Sequence, residues 1–258
     1  DAIPVNIEKD EDYFEAKRNI EIKAFKDPDE LILNYKPEIH GSPLFMGMDV
    51  GRFSDKTAYY IIGRVNGKKR SVLKLEMRNA SYDTQKDVFR KLMKQLPIFR
   101  SCIDNTGIGN NLAEDMHKEF GERAEPFTMT LQSKEILAMQ VKTGLERLEF
   151  LLENDREFHA QIHSIKRTPT SGGSFRYDAE RNEKGHADSF WAWALANHAA
   201  TEQVSEPNFY AEWSRKKNQS VVDLNNNTKE LSENPSSLTR SRGKSLATVL
   251  RRVQNGNH

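Results

Sequence analysis

Three aspartates share one kind of sequence context. Asp49 stands at the end of the apolar run LFMGMDV, Asp104 at the end of IFRSCID, and Asp188 at the start of the Ala-rich run DSFWAWALANHAA. Each therefore sits beside an apolar element that would hold it rigidly. If the strands ending in Asp49 and Asp104 are neighbours, the two side chains project from adjacent strand ends, and Asp188 approaches from a helix packed on the sheet. Three carboxylates at one point cannot all stay ionised without a cation. Hard oxygen donors favour Mg²⁺ or Mn²⁺, which keep several waters and share substrate phosphates. Two such ions about 3.5–4 Å apart would clamp the attacking and leaving oxygens of a phosphodiester. Gly51, two residues after Asp49, would let a phosphate or metal come close to the backbone. Taken singly, each aspartate has a plainer explanation: Asp-x-Gly is common in turns, Asp104 before Asn-Thr-Gly is a turn former, and Asp188 suits a helix first turn.

The elements that must carry these residues follow from periodicity and punctuation. LFMGMDV reads as a short buried strand, KTAYYIIGR as a second, and SVLKLEMR as a third, with Asn66-Gly67 as the hairpin turn between the last two. Val88, Leu92 and Leu96 fall four apart, which predicts a helix from about Asp83 to Leu96 that Pro97 stops. IFRSCID is a fourth strand. DNTGIGNNLAEDMHKEF turns through glycines into a helix, and PFTMT is a short strand. SKEILAMQVKTGLERLEFLLEN places Leu137, Val141, Leu145, Leu148 and Leu152 on one face of a long helix, with Ser133 as its cap. FHAQIHSIKR alternates as a strand, Gly172-Gly173 marks a hairpin tip, and SFRYDAE returns. HADSFWAWALANHAA is a helix that should pack on the sheet. The fold class is α/β, a mixed central sheet flanked by helices.

Around this middle region the composition changes. Residues 1–41 mix charges densely, with an amphipathic helix expected from Tyr13 to Phe25 and breaks at Pro28, Pro37 and Gly41-Ser42-Pro43. They read as an N-terminal extension or linker. After about residue 202, Asn225-Asn226-Asn227 and Pro235-Ser236-Ser237 suggest a flexible tail. Residues 234–258 hold Arg240, Arg242, Lys244, Arg251 and Arg252 and no acidic residue. The chain begins with Asp1 and has no basic-then-apolar leader, so a processed chain or a piece of a longer one is expected.

Whole-chain charge excludes little. The 39 basic and 38 acidic residues give a net charge of +1, so a polyanion surface must come from local patches. One cysteine, Cys102, rules out a disulfide framework or a cysteine-rich zinc site within the chain and reads as a buried strand residue. No run of about 18 apolar residues occurs, so no membrane-spanning helix is expected.

The order strand–Asp49-Val-Gly, strand–Asp104-Asn-Thr-Gly-Ile-Gly, then Gly185-His186-Ala187-Asp188 before Phe190-Trp191-Ala192-Trp193-Ala194-Leu195-Ala196 resembles the nuclease domain of tailed-bacteriophage large terminase subunits. The resemblance covers roughly residues 42–202. It implies a ribonuclease H-like fold and a Mg²⁺- or Mn²⁺-dependent endonuclease, using two ions, that cuts concatemeric viral double-stranded DNA. Carried over, Asp49, Asp104 and Asp188 would be the metal ligands. His186 would orient a water or contact phosphate, or be structural, and Asp55 is a further candidate outer ligand. The resemblance also implies a terminase small subunit and the capsid portal as partners, the host cell cytoplasm as location, and residues 1–41 as the link from a missing packaging ATPase domain. No Gly-x-x-x-x-Gly-Lys-Ser/Thr occurs here. The nearest stretch, Gly63 to Lys69, has the wrong spacing, so ATP hydrolysis is not expected.

A nuclease needs a basic track. Lys166, Arg167, Arg176, Arg181 and Lys184 lie on the predicted hairpin just before Asp188, and their contacts would be to phosphate and blind to sequence. Lys68, Lys69 and Arg70 form a second, weaker candidate. Two other readings compete. One is a nucleotide-binding phosphotransferase of the actin and sugar-kinase type, in which Asp49-Val-Gly with Lys56-Thr57 would be a phosphate hairpin. That type uses two duplicated domains, and no second copy is visible here. The other is a non-enzymatic DNA- or portal-binding module.

Overall fold

Alternate residues of the first strand point into two different cores. A computed structural model describes residues 22–51, 56–170, 175–179, 187–201, 212–215 and 219. In it β1 (Leu44–Asp49) sends Phe45 to one face of a sheet and Leu44, Met46 and Met48 to the other, all fully buried. Both faces are covered, which is why β1 reads as a continuous apolar run. β2 (Thr57–Val65) pairs antiparallel with β1, and β3 (Lys68–Met77) antiparallel with β2. At the β2–β3 turn Asn66 and Gly67 have φ of 50° and 76°, the left-handed pair that a tight hairpin needs. β4 (Ile98–Asp104) and β5 (Ala124–Phe127) add in parallel on the other side of β1, and β6 (Phe150–Leu151) adds in parallel to β3. The sheet order is β5-β4-β1-β2-β3-β6. A separate antiparallel pair is formed by β7 (Ile165–Pro169) and β8 (Phe175–Ala179).

The helices divide between the two faces. α1 (Pro28–Asn34), α3 (Tyr82–Gln95) and α4 (Asn110–Phe120) supply Leu31, Phe89, Leu92, Leu112 and Met116 to the core that holds Met46 and Met48. α2 (Pro37–His40) is a single short turn before β1. α5 (Leu131–Glu146), α6 (Arg156–Ser164) and α7 (Asp188–Ala199) supply Leu137, Val141, Phe158 and the Trp191–Trp193 region to the face that holds Phe45 and Cys102. Of the residues of α7, only His198 is not buried. A helix apolar all round belongs inside a core rather than on its surface. The mixed α/β expectation holds, with helices on both sides of a six-stranded sheet.

Five local expectations change. The segment FHAQIHSIKR is helix up to Ser164 and strand only from Ile165. Asp155 accepts from the backbone N–H of Glu157 and Phe158 and starts that helix, which outweighs the apparent alternation. The long helix ends at Glu146 rather than near Asn154, because Leu148 turns left-handed and Phe150 leaves to pair with β3. Its cap is Thr130, and Ser133 is the reciprocal partner of a capping box. The short strand runs Ala124–Phe127, two residues earlier than PFTMT. Residues 13–21 of the expected N-terminal helix and the Gly172-Gly173 tip lie outside the described residues, while Phe25 is not helical and bridges to Leu73. The chain divides into two units, Asp1–Tyr210 and Ala211–His258. In the second, residues 212–215 are helical.

Candidate active site

Adjacent parallel strands bring two of the aspartates together. Met48 pairs with Ile103 in the β1–β4 register, so Asp49 and Asp104, one residue further on, leave the sheet side by side. Asp188 is the first residue of α7, which packs on the same face. The packing is close at Gly47: a Cβ there would stand 1.9 Å from the Ala192 carbonyl and 2.4 Å from the Ala196 nitrogen. Helix backbone thus lies directly on strand backbone two residues before Asp49. The three aspartates line one cleft of about 220 Å³.

Each mount is fixed by its own hydrogen bonds. Beyond Asp49, the Gly51 N–H donates to Thr57 Oγ1 at 3.1 Å, and that hydroxyl donates back to the Gly51 carbonyl at 3.0 Å. Gln85 Nε2 donates to the same carbonyl at 3.1 Å. Beyond Asp104, the Thr106 N–H donates to Asp104 Oδ1 at 2.8 Å, a side-chain-closed turn. Gly107 has φ of 59°, and a Cβ on Gly109 would lie 2.4 Å from the Asp104 carbonyl, so both glycines of Thr-Gly-Ile-Gly are required by shape. Before Asp188, Ala187 is left-handed, with φ 62° and ψ 39°. After it, Ser189 Oγ donates to Glu76 Oε1 at 2.6 Å, and the Phe190 N–H to Gln161 Oε1 at 3.3 Å. The first turn of α7 is therefore tied to β3 and α6.

The charge balance of the cleft is part acidic, part compensated. Burial pushes the Asp104 carboxyl above its ordinary range, and the hydrogen bonds from Thr106 and the charge of Lys134 offset only part of that. Lys56 lines the cleft, is nearly buried, and is ion-paired to Glu76. Burial raises Glu76, but hydrogen bonds from Lys56 and Ser189 outweigh it and leave its carboxyl below the usual range. Lys134 stands 4.6 Å above the Trp191 ring and 3.8 Å from Asp178 Oδ1.

Asp178 is a fourth carboxylate in this cleft that sequence reasoning missed. It is the next-to-last residue of β8, between the core-facing Tyr177 and Ala179, where a charge looks like the ordinary outward half of an alternating strand. Its Oδ2 accepts from Arg176 Nη2 at 2.7 Å and Nε at 3.1 Å. Lys166 and Arg167 are exposed on β7, Lys166 directly opposite Asp178, and Arg176 is exposed on β8. The Arg167 guanidinium lies 3.3 Å from the Phe175 ring centroid. The β7–β8 pair thus carries Lys166, Arg167 and Arg176 on the ribbon that brings Asp178 to the cleft. Asp55, Arg181, Lys184 and His186 lie outside the described residues. The Lys68–Arg70 patch is partly turned inward. Lys69 donates to Asn197 Oδ1 at 2.6 Å, and burial lowers Arg70.

Comparison with known proteins bears on the family and the fold. A family profile described as the Terminase RNaseH-like domain matches residues 46–199. The terminase ATPase subunit of Escherichia phage P2 is 26% identical over 174 residues, which is 64% of this chain and 29% of that protein. The chain therefore spans less than a third of that relative. Among solved structures, the large terminase nuclease of thermophilic phage G20c with bound magnesium superposes with a TM-score of 0.53 at 20% identity, covering 60% of this chain and 80% of that one. The same nuclease with bound cobalt gives 0.54 at 21% identity, covering 64% and 83%. At these identities the structural likeness speaks for the fold. The profile match, which runs from within β1 to the end of α7 and takes in all three aspartates, covers more than half of the chain, and the chain belongs to the terminase ribonuclease H-like domain family.

Proposed function

We propose that this chain is a metal-dependent endonuclease that cuts double-stranded DNA during viral genome packaging. The observation that carries the reading is the shared cleft of Asp49, Asp104 and Asp188, delivered by two strand ends and a helix start. The donor set fits hard dications: the proposed ligands are all carboxylates, and Asp104 is lifted by burial, as expected of an anion held where its counter-charge has to be supplied. A structural relative was solved with magnesium bound. We assign two Mg²⁺ or Mn²⁺ ions to Asp49, Asp104 and Asp188. Bound there, such ions would supply Lewis-acid polarisation of a phosphate and a water more acidic than bulk.

The chain's own residues do the rest. Asp49 and Asp104 hold their oxygens on stiff strand ends, and Asp188 is fixed by the Ser189–Glu76 tie. Lys56 and Lys134 limit mutual repulsion among the carboxylates. Lys166, Arg167 and Arg176, continued by Arg181 and Lys184, hold the DNA backbone by phosphate contacts. His186 orients a water or touches phosphate, and Asp55 is an outer ligand. In this reading residues 42–202 are the nuclease domain, residues 1–41 the link to a packaging ATPase, and residues 203–258 a basic tail. Concatemeric DNA is the substrate, the terminase small subunit and the capsid portal are partners, and the host cell cytoplasm is the site of action.

Supercoiled plasmid incubated with Mn²⁺ or Mg²⁺ tests the proposal. Nicking and linearisation are expected, with loss of both in Asp49→Asn and Asp104→Asn variants that keep their far-ultraviolet circular dichroism. Undiminished cutting by either variant overturns the ligand assignment. No cutting by the parent chain favours the non-enzymatic binding module, and calorimetric nucleotide binding would favour the kinase-type reading.

A further inference from the structure

Cys102, Glu125 and His198 bring their ligand atoms within 4.8 Å of one another, apart from the aspartate cleft. They come from three elements. Cys102 on β4 and Glu125 on β5 are direct partners in the parallel register, and His198 is in the last turn of α7. Cys102 lies two residues before Asp104, roughly 7 Å back along the strand. His198 lies ten residues after Asp188, roughly 15 Å along the helix. The group is therefore a separate cluster under the opposite end of the helix.

Contacts within and around the cluster hold these side chains. The Cys102 thiol donates to Glu125 Oε2 at 3.3 Å. Glu125 is ion-paired to Arg100, and the His198 ring meets Phe127 edge-on at 4.9 Å between centroids. Bonds of about 2.0–2.3 Å to a tetrahedral ion set neighbouring donor atoms roughly 3.3–3.8 Å apart. The sulfur–oxygen spacing already matches. A thiolate, an imidazole and a carboxylate form a borderline-soft set, which suits zinc-like ions rather than Mg²⁺.

We propose that Cys102, Glu125 and His198 form a second metal centre, for Zn²⁺ or a similar divalent transition ion, that pins the end of α7 to β4 and β5. On binding, the Cys102 S–H bond breaks and a sulfur–metal bond forms. The proton leaves to solvent, and no electron is transferred. Thiolate and carboxylate together neutralise the dication, and a water completes the tetrahedron. The arrangement without metal is an Arg100–Glu125 ion pair with a thiol donor beside it, so the experiment must read sulfur ligation itself.

Titration of the whole chain with Co²⁺ does so. Cys102 is the only cysteine, so a thiolate-to-cobalt charge-transfer band in the near ultraviolet can come from this centre alone. Oxygen ligation by the aspartates produces no such band. The band is expected to saturate at one equivalent, to disappear on adding Zn²⁺, and to be absent from Cys102→Ala. It should persist in the Asp49→Asn/Asp104→Asn double variant, so its fate is independent of the nuclease reading. His198→Gln, which leaves the Arg100–Glu125 pair intact, should weaken Co²⁺ binding roughly tenfold or more. Absence of the band from the parent chain at saturating Co²⁺ overturns the proposal. So does a band that His198→Gln leaves unchanged. The parent spectrum is decisive even if a variant fails to fold.

Discussion

Exchanging Asp49, Asp104 or Asp188 for asparagine keeps the shape of the side chain and removes its charge. Cleavage should fall by roughly a hundred- to a thousandfold, the scale of losing one preorganised electrostatic partner of a transition state, as read from plasmid-nicking rates. Asp178→Asn should act differently. It removes the acceptor that Arg176 and Lys134 share beside the cleft. DNA binding in the presence of Ca²⁺ should tighten by roughly two- to fivefold, the worth of an exposed ion pair, and a filter-binding titration checks it. The two cases also show what single residues disclose in advance. Asp49 and Asp104 stand out because an apolar run stops at each, and Asp188 because an apolar helix begins there. Asp178 carries no such mark. Its alternating neighbours fit any hairpin, and only the tertiary packing of β8 against α5 and α6 brings it to the cleft.

At the scale of elements, the packing of α7 on β1 is the least forgiving. Gly47→Ala would drive a methyl group into helix backbone that cannot turn aside. The expected cost is about 3 kcal/mol, measured by urea unfolding, together with loss of cleavage, because Asp188 moves with the helix. α6 depends on Asp155, which caps it through Oδ1 and pairs with nearly buried Lys74 through Oδ2 at 2.6 Å. Asp155→Ala should cost about 3 kcal/mol, from a missing cap and an orphaned cation. Burial acts to raise the Asp155 carboxyl, but its bonds to Lys74 and the Phe158 N–H, with the charges of Lys74 and Lys26, leave it below the ordinary range. A depressed carboxyl contributes stability that is fully present above the ordinary aspartate range and is lost as pH falls through its folded value. An acid-unfolding curve should therefore be shallower in Asp155→Ala. The same cap explains why α6 is hard to read from sequence. Phe158, Ala160 and Ile162 alternate as in a strand, while Phe158, Ile162 and Ile165 fall on one helical face, and the decision rests on one side chain just upstream. α7 is legible for the opposite reason, since an unbroken run of Phe, Trp, Ala and Leu has no place except inside a core.

For the molecule as a whole, a net charge of +1 means that the proposed grip on DNA has to come from one ribbon rather than from an overall field. Neutralising Lys166, Arg167 or Arg176 should weaken binding equally for all sequences. The slope of log affinity against log salt should shrink by about 0.9 for each phosphate that is no longer neutralised. Fluorescence anisotropy over a salt series measures both. A slope unchanged in a triple Ala variant would remove the ribbon from the DNA path. The sheet order is not legible in the same way as the strands. β6 is two residues long, and only its pairing with Lys69 and Arg70 identifies it as strand.

The lid of the first strand is the last of the described helices of its unit. β1 is complete at Asp49 and α7 only at Ala199, and until the ribosome has made that helix Phe45, Tyr60 and Cys102 have no cover from its side. A nascent or truncated chain that stops short of residue 188 lacks both a closed interior and its third aspartate. On the proposed reading, such a chain is barred from cutting while it is being made, with no inhibitor required.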